Sequence, residues 1–173
     1  QAANDLRYVA VGGARVAPAL LARARAVGLP AYQGYGLTEC GSVVSLNRPG
    51  DDGAGVGRPL PHVRLRIADG EVRVGGRAFL GYVGDQLPQP ATTALLEFAT
   101  GDLGRLDGNG HLHLEGRRNN LLITSFGRNV APEWVESLLL AEPAVAQALV
   151  CGDGMPCLCA LLVAAPGSGR SAL

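Results

Sequence analysis

The sequence predicts a mixed α/β fold built in three successive parts. A strand, a helix and an extended segment follow one another between residues 6 and 33. Alternating apolar and polar residues, the pattern of half-buried strands, recur between residues 63 and 114. A further strand, a helix and two strands are predicted between residues 121 and 163. We therefore expect α/β units at both ends of the chain and a small antiparallel sheet between them.

The composition argues against several classes of protein. The 173 residues carry a formal net charge of zero and contain no block of basic residues, which argues against a nucleic-acid or anionic-membrane partner. The longest strongly apolar stretch, residues 157–165, is far shorter than the roughly 20 residues that span a bilayer. Because no signal-peptide pattern is present either, we expect a cytoplasmic protein without a transmembrane segment.

The first part is expected to bring two glycine-rich turns to the ends of its strands. A strand over residues 6–11 ends at Gly12 and Gly13, and a helix begins at Pro18, where proline suits the first turn. The extended segment that follows leads into a polar loop at residues 34–39. In α/β proteins, such junctions between a strand and a loop are where ligands bind.

The middle part is expected to form the antiparallel sheet. Strands are predicted at residues 63–67, 71–74 and 79–83, and a hairpin pairs residues 103–106 with 111–114 through an Asp-Gly-Asn-Gly turn. His111 and His113 would share one face of that hairpin. Two histidines at this spacing could chelate a metal, but no third ligand is evident, so we expect a solvated strand face.

The last part begins with a strand at residues 121–124 and a helix that opens with Pro132. Strands at residues 145–151 and 158–163 are expected after the helix. Cys157 and Cys159 show no disulfide or zinc spacing, and we expect them to pack in this buried strand as small hydrophobic residues. The helix residues expected to be buried are Trp134, Val135, Leu138 and Leu139.

Residues 34–39, with the sequence Gly-Tyr-Gly-Leu-Thr-Glu, contain groups that could hold a nucleotide and a hard cation. The Tyr35 ring could cover a purine, and the Gly36 amide and Thr38 hydroxyl could donate to a phosphate oxygen. The Glu39 carboxylate could bind Mg²⁺ directly or through water. An ordinary polar loop is the alternative, because so short a motif has little specificity by itself.

Two charged residues further along the chain could also contact a nucleotide. Asp102 follows a threonine and a glycine, a setting suited to accepting hydrogen bonds from two ribose hydroxyls. The guanidinium of Arg117 could reach ribose or phosphate with its forked geometry. The alternatives are an ordinary turn aspartate and a surface ion pair.

The order and spacing of these segments resemble the AMP-forming acyl-CoA synthetase, luciferase and adenylation-domain superfamily. The matching segments are Val11-Gly12-Gly13-Ala14, Tyr35-Gly36-Leu37-Thr38-Glu39, Gly70-Glu71-Val72-Arg73-Val74, Thr100-Gly101-Asp102-Leu103-Gly104, Gly116-Arg117-Arg118 and Ile123-Thr124-Ser125-Phe126-Gly127-Arg128-Asn129-Val130-Ala131-Pro132. Residues 122–132 look most similar to the long-chain fatty acid–CoA ligase branch.

The resemblance implies a division of the chain. Residues 1–115 would be the C-terminal part of a large AMP-binding domain, with the end of a nucleotide-binding α/β subdomain at 1–48 and a β-subdomain at 49–115. Residues 116–173 would be the hinge and the start of a small C-terminal α+β domain. The family's phosphate-binding loop and catalytic lysine have no counterpart here, since all 15 basic residues are arginine. We therefore expect an internal fragment that is inactive by itself.

The resemblance also implies roles for individual residues. The nucleotide-binding residues would be Gly12, Gly13, Ala14, Gly34, Tyr35, Gly36, Thr38, Asp102 and Arg117. Residues 12–14 would line the adenine and acyl pocket, and Tyr35 would stack on adenine. Thr38, at the α-phosphate, and Glu39, at Mg²⁺, would be the catalytic pair. Asp102 would accept hydrogen bonds from ribose, and Arg117 would bind ribose or phosphate.

Two further positions follow from the same resemblance. Asn119 lies where the family's small domain pivots between two half-reactions, although an aspartate or lysine is more usual at that position. The loop that contains Ser125 and Gly127 would border the coenzyme A channel.

The activity implied is that of an ATP-dependent acid:CoA ligase. Its parent would convert a carboxylic acid, expected to be a fatty acid, into an acyl-adenylate and would then replace AMP with coenzyme A. ATP or AMP, Mg²⁺ and coenzyme A would be its cofactors and co-substrates, and the rest of the synthetase chain its partner. An adenylation domain that loads a carrier protein and a non-catalytic nucleotide-binding module are the alternatives.

Overall fold

A computed structural model describes residues 5–51, 53, 55–76, 79, 82–83 and 97–167. The described residues form a mixed α/β structure, as the sequence predicts, with four small sheets and two α-helices. Neither α-helix in this part of the chain has the length and apolar character that crossing a membrane requires.

The first sheet combines parallel and antiparallel pairing. Its elements are β1 (Val9–Val11), α1 (Pro18–Ala26), β2 (Ala31–Tyr35), β3 (Ser45–Leu46) and β4 (Arg58–Pro59). β1 and β2 run in parallel and are joined by α1, whereas β3 and β4 continue the sheet antiparallel. Because parallel strands end at the same edge, the segments that follow β1 and β2 are brought side by side.

The central sheet is antiparallel, with the strand order β5-β6-β7-β8. Its strands are β5 (Arg64–Ala68), β6 (Glu71–Gly75), β7 (Glu97–Leu106) and β8 (Leu112–Arg117). The predicted strands near residues 63–67 and 71–74 and the β7–β8 hairpin are confirmed. The strand predicted at residues 79–83 is wrong where it can be compared, because Phe79, Tyr82 and Val83 lie in no strand and the other two residues lie outside the described ones.

The first and central sheets share one hydrophobic core. Its buried members are Tyr35, Cys40, Val44, Val56, Val72, Val74 and Leu112. The segment that follows β2 is therefore packed directly against β6 and β8. The predicted boundaries at residues 48/49 and 115/116 stay predictions.

His111 corrects the expectation of a solvated histidine face. Its side chain is buried between Asp51, at 3.2 Å from Nε2, and Asp107, at 3.5 Å from Nδ1. His113 is half-buried and lies 3.0 Å from Asp107, and this hydrogen bond holds the pKa of the Asp107 carboxyl below its usual range. The burial arises because Asp51 and residues 55–57 lie against the hairpin, where the Val56 amide donates to the Leu112 carbonyl at 2.7 Å.

The small C-terminal unit consists of two hairpins and a helix. Its elements are β9 (Leu122–Ile123), β10 (Asn129–Val130), α2 (Pro132–Leu139), β11 (Val145–Cys151) and β12 (Cys159–Ala164). The helix and both late strands are confirmed, but their predicted burial is wrong in part. Trp134 is 50% exposed and Leu138 is 48% exposed, and Cys157 and Cys159 are exposed. The reason is that α2 packs against β11, whereas β12 is exposed along most of its length.

Asn47 stabilises the first sheet through a buried amide. Its Nδ2 donates to the carbonyls of Gln33, at 3.1 Å, and Gly55, at 3.0 Å. We expect Asn47→Ala to lower the free energy of unfolding by about 2 kcal/mol, because both side-chain hydrogen bonds are lost and the Gln33 carbonyl keeps only the backbone amide of residue 47 as a donor. Thermal denaturation measures the effect, with Asn109→Ala, in an exposed turn, as the control. Equal stability of the two variants would contradict this assignment.

Candidate functional site

The residues expected to line a nucleotide pocket lie at the shared edge of β1 and β2. Gly12 directly follows β1, and it packs so closely against β2 that a β-carbon would lie 3.3 Å from the Gly34 carbonyl oxygen. Gly13 has φ +87° and no atom within 4 Å of where a β-carbon would be, and Ala14 is exposed. Gly12 therefore lies beside β2, and Gly12, Gly13 and Ala14 are exposed at this edge.

Close packing inside the protein requires glycine at two positions, Gly34 in β2 and Gly36 directly after this strand. A β-carbon at Gly36 would lie 1.5 Å from the Ser42 carbonyl oxygen, and one at Gly34 would lie 2.6 Å from Leu46 Cδ1. The chain turns back here through a single 3₁₀ turn, Thr38–Cys40, in which Thr38 is exposed. These two glycines thus have a structural reason that is independent of any ligand.

Tyr35, Asp102 and Arg117 meet at the centre of the site. The Tyr35 hydroxyl donates to Asp102 Oδ2 at 2.6 Å, and Arg117 Nε donates to Asp102 Oδ1 at 2.9 Å. Asp102 is 6% exposed. The structure therefore brings together three predicted residues from distant segments. Each carboxylate oxygen can accept a second hydrogen bond, which leaves Asp102 able to accept from hydroxyls of a ligand.

The electrostatics of this group favour fixed protonation states. Burial, and then the hydrogen bond to Asp102, raise the pKa of the Tyr35 phenol above its usual value. The negative charge of Asp102, and then the hydrogen bond between the two groups, raise the pKa of Arg117. Tyr35 is therefore a permanent donor. Only 9% of Tyr35 is exposed. Stacking of its ring on adenine stays a prediction, and it would involve only the small exposed part of the ring.

A bulge in β7, just before Asp102, is held by polar groups of the same segment. The Thr100 hydroxyl donates to the Val72 carbonyl at 2.8 Å and accepts from the Asp102 amide at 3.1 Å. Gly101 has φ +74°, a conformation that is unfavourable for residues with a side chain. The sequence Thr-Gly-Asp therefore favours a bulge in the strand that fixes the backbone of Asp102.

Glu39 contacts an aromatic pair that sequence analysis did not connect with it. The Tyr82 hydroxyl donates to Glu39 Oε1 at 3.0 Å, and the Phe79 amide donates to the Glu39 carbonyl at 2.8 Å. Phe79 and Tyr82 pack edge to face, 4.8 Å apart. Two aromatic residues three positions apart, in a chain with few aromatic residues, were the sequence feature that could have indicated this contact. The alternating pattern of residues 79–83 predicts a strand instead.

The residues present fit a magnesium ion only in part. No set of three or more His, Cys, Asp or Glu side chains within the described ranges is arranged to hold a metal. Mg²⁺ in nucleotide sites is commonly bound by one or two carboxylates together with phosphate oxygens of the substrate. Glu39 would supply one such carboxylate, with phosphate and water completing the coordination.

The three remaining predicted positions lie apart from this cluster in the sequence. Asn119 is exposed within a one-turn 3₁₀ helix, Arg118–Asn120, directly after β8. Ser125 and Gly127 are exposed in the turn between β9 and β10. Beside that turn is an open depression of about 650 Å³ lined by Thr124, Phe126, Arg128, Val130, Pro156, Cys157 and Leu158. The hinge and coenzyme A assignments stay predictions.

The chain is similar in sequence to known proteins. The profile of a family described as AMP-binding enzyme matches residues 1–80. The long-chain-fatty-acid–CoA ligase FadD15 of Mycobacterium bovis is 41% identical over 168 residues, which cover 94% of this chain and 28% of that ligase. The chain therefore spans less than a third of the length of this relative.

Solved structures show the same fold. The O-succinylbenzoate coenzyme A synthetase MenE of Bacillus subtilis in complex with AMP gives a TM-score of 0.78 at 32% identity, over 97% of this chain and 38% of that one. The same synthetase in complex with ATP and a magnesium ion gives a TM-score of 0.73 at 31% identity, over 91% of this chain and 36% of that one.

Proposed function

The chain belongs to the AMP-binding enzyme family, and we propose that the protein of which it is part is an ATP-dependent acid:CoA ligase. The observation that supports this most is the Tyr35–Asp102–Arg117 group beside the edge of two parallel strands. A buried carboxylate held by a phenol and a guanidinium is a preorganised acceptor for a vicinal diol such as that of ribose.

The proposed reaction has two displacement steps. A carboxylate oxygen attacks the α-phosphorus of ATP, a new P–O bond forms, and pyrophosphate leaves. The sulfur of coenzyme A then attacks the acyl carbon of the adenylate: a C–S bond forms, the thiol proton is released, the bond between the acyl carbon and the phosphate oxygen breaks, and AMP leaves. Mg²⁺, when bound, offsets negative charge on the phosphates during the first step.

The residues of this chain bind and orient the nucleotide in this proposal. Asp102 accepts hydrogen bonds from the ribose hydroxyls, while Tyr35 and Arg117 hold its carboxylate in place. The exposed Thr38 hydroxyl donates to the α-phosphate, where negative charge develops in the first step. Glu39 binds the cation.

A fatty acid is the proposed substrate class. Identity to the long-chain ligase FadD15 is higher than identity to the succinylbenzoate synthetase MenE. Long-chain acids should therefore be used with a higher kcat/KM than succinylbenzoate in a panel of acids.

The proposal is tested by acid-dependent ATP–pyrophosphate exchange with the intact protein. We expect exchange in the presence of a fatty acid and a strong reduction in Glu39→Ala, and an acyl thioester when coenzyme A is added. The purified 173-residue chain is the negative control, because it contains no lysine to stabilise the leaving pyrophosphate. If no acid supports exchange by the intact protein, the proposed activity is wrong. If a thioester forms only on a carrier protein, the acceptor is that carrier protein and not coenzyme A.

Asn119 is the proposed pivot of the small domain. Proline fixes φ near −65° and removes a backbone donor, so we expect Asn119→Pro to hold one domain orientation and to slow one half-reaction at least about tenfold more than the other. Single-turnover measurement of adenylation and thioester formation gives the two rates, with Asn119→Ala as the flexible control. Equal slowing of both steps would show that the pivot lies elsewhere.

A further inference from the structure

Glu71, the first residue of β6, is a buried carboxylate outside the group that would contact ATP. It is 5% exposed, and both its oxygens have partners. The Gly101 amide donates to Oε1 at 2.9 Å, and Arg73 and Arg118 approach Oε2 at 3.4 Å and 3.6 Å. A buried charge is strongly unfavourable unless it is paired in this way, so these contacts define where the neighbouring segments can lie.

One oxygen of Glu71 holds the bulge in β7 that positions Asp102. Gly101 immediately precedes Asp102 and adopts φ +74°. The β6–β7 ladder is interrupted between Glu71 and Arg73, so the Gly101 amide donates to the Glu71 side chain at this irregularity. Without that acceptor, the amide loses its partner and the bulge can relax. The carboxylate of Asp102 would then shift away from Tyr35 and Arg117.

The other oxygen of Glu71 faces the segment that contains Asn119. Arg118 is the first residue of the 3₁₀ turn after β8, and its Nη2 also donates to the Asp69 carbonyl at 3.4 Å. Arg73 lies on β6, the same strand as Glu71, and stays beside it in any domain orientation. Arg118 would leave if the segment after β8 rotated. Oε2 of Glu71 therefore has one partner that stays in place, Arg73, and one partner that a rotation of the following segment would take away, Arg118.

We propose that Glu71 is a positioning residue that joins two functions of the ligase: it holds the β7 bulge next to Asp102, and through Arg118 it retains the hinge turn in the orientation observed here. The inference rests on the proposed function, since it concerns ribose binding and the exchange between two half-reactions. Glu71 itself touches no substrate.

Two substitutions separate the contributions of the two oxygens. Glu71→Gln retains a carbonyl oxygen for the Gly101 amide but loses the charge that attracts Arg118. We expect an ATP KM close to that of the wild type and a changed ratio of adenylation to thioester formation. Glu71→Ala removes both interactions, and we expect its ATP KM to rise about tenfold, the factor that one charge-assisted hydrogen bond represents.

Arg118→Met tests the hinge contact from its other side. We expect it to change the ratio of the two half-reactions in the same direction as Glu71→Gln and to leave the ATP KM unchanged. The double variant should show no further change, because both substitutions remove the same ion pair. Arg105→Met is the matched control, since Arg105 lies on β7 of the same sheet and pairs with Glu115, at 3.5 Å, away from Glu71.

Hydrogen exchange of the intact protein provides a readout that does not need activity. We expect peptides covering residues 100–103 to exchange faster in Glu71→Ala but not in Glu71→Gln, and peptides covering 118–120 to exchange faster in both variants and in Arg118→Met. A Glu71→Gln variant that behaves like Glu71→Ala, or an Arg118→Met variant that behaves like Arg105→Met, would overturn the inference. A wild-type enzyme with no acid-dependent exchange of pyrophosphate would instead refute the proposed function, and the hydrogen-exchange pattern would still decide the role of Glu71.

Discussion

Replacing Asp102 with alanine in the intact protein is expected to weaken apparent ATP affinity by about a hundredfold or more, the equivalent of two charge-assisted hydrogen bonds to ribose. The effect should be large because Asp102 also accepts from the Tyr35 hydroxyl and pairs with Arg117. Its removal leaves a buried phenol without an acceptor and a guanidinium without its counter-charge. The adenylation rate should fall with the affinity.

Pyrophosphate exchange as a function of ATP concentration measures this loss. Asp102→Asn is the matched variant, because it keeps a carbonyl oxygen that can accept from the Tyr35 hydroxyl, while the negative charge and the second acceptor oxygen are lost. We expect its ATP affinity to lie between those of the wild type and Asp102→Ala. An unchanged ATP affinity and exchange rate in Asp102→Ala would show that Asp102 does not bind the nucleotide.

Replacing Gly36 with alanine is expected to lower the free energy of unfolding by about 3 kcal/mol or more, the range of severe overpacking. The added β-carbon would lie 1.5 Å from the Ser42 carbonyl oxygen, so the backbone of one segment must move. The turn that presents Thr38 and Glu39 would move with it. Activity should therefore be lost even under conditions where the variant remains folded.

Denaturant unfolding followed by circular dichroism tests the effect on stability. Gly108→Ala is the control, since no atom lies within 4 Å of its missing β-carbon and its φ is not positive. We expect the control to unfold close to the wild type. A Gly36→Ala variant as stable as Gly108→Ala would show that the turn adapts without strain.

Local patterns in the sequence were sufficient for the features that depend on neighbouring residues. Pro18 and Pro132 begin the two helices where proline is favoured, and the Asp-Gly-Asn-Gly turn correctly indicates the β7–β8 hairpin. The open glycine turn after β1 and the loop after β2 also lie where the strand predictions place them. These features need no information about distant segments.

The contacts within the site depend on a detail that the sequence pattern does not specify. Asp102 faces Arg117 across β7 and β8 because the register shifts by one residue between Leu103 and Gly104. A regular ladder continued from the hairpin turn would have placed another residue opposite Arg117. Family resemblance predicted the pair of residues, whereas the irregularity that brings them together was visible only in the structure.

Burial was the least predictable property because it depends on which segments pack together. His111 was expected on a solvated face, but Asp51 and residues 55–57 lie against this part of the hairpin. Cys159 was expected in a buried strand, but α2 packs on β11 instead of β12. The contact between Glu71 and Gly101 likewise joins residues far apart in the chain, and no periodicity encodes it.

The proposed activity of the intact protein, the coupling of an acid to coenzyme A through an acyl-adenylate, can be measured from its nucleotide products. The protein is incubated with ATP, Mg²⁺, a long-chain fatty acid and coenzyme A, and the products are analysed. We expect AMP and pyrophosphate in equal amounts, with one acyl thioester formed for each AMP and none of these products formed without the acid. Formation of ADP and phosphate, or turnover of ATP that does not depend on the acid, would contradict the proposed activity.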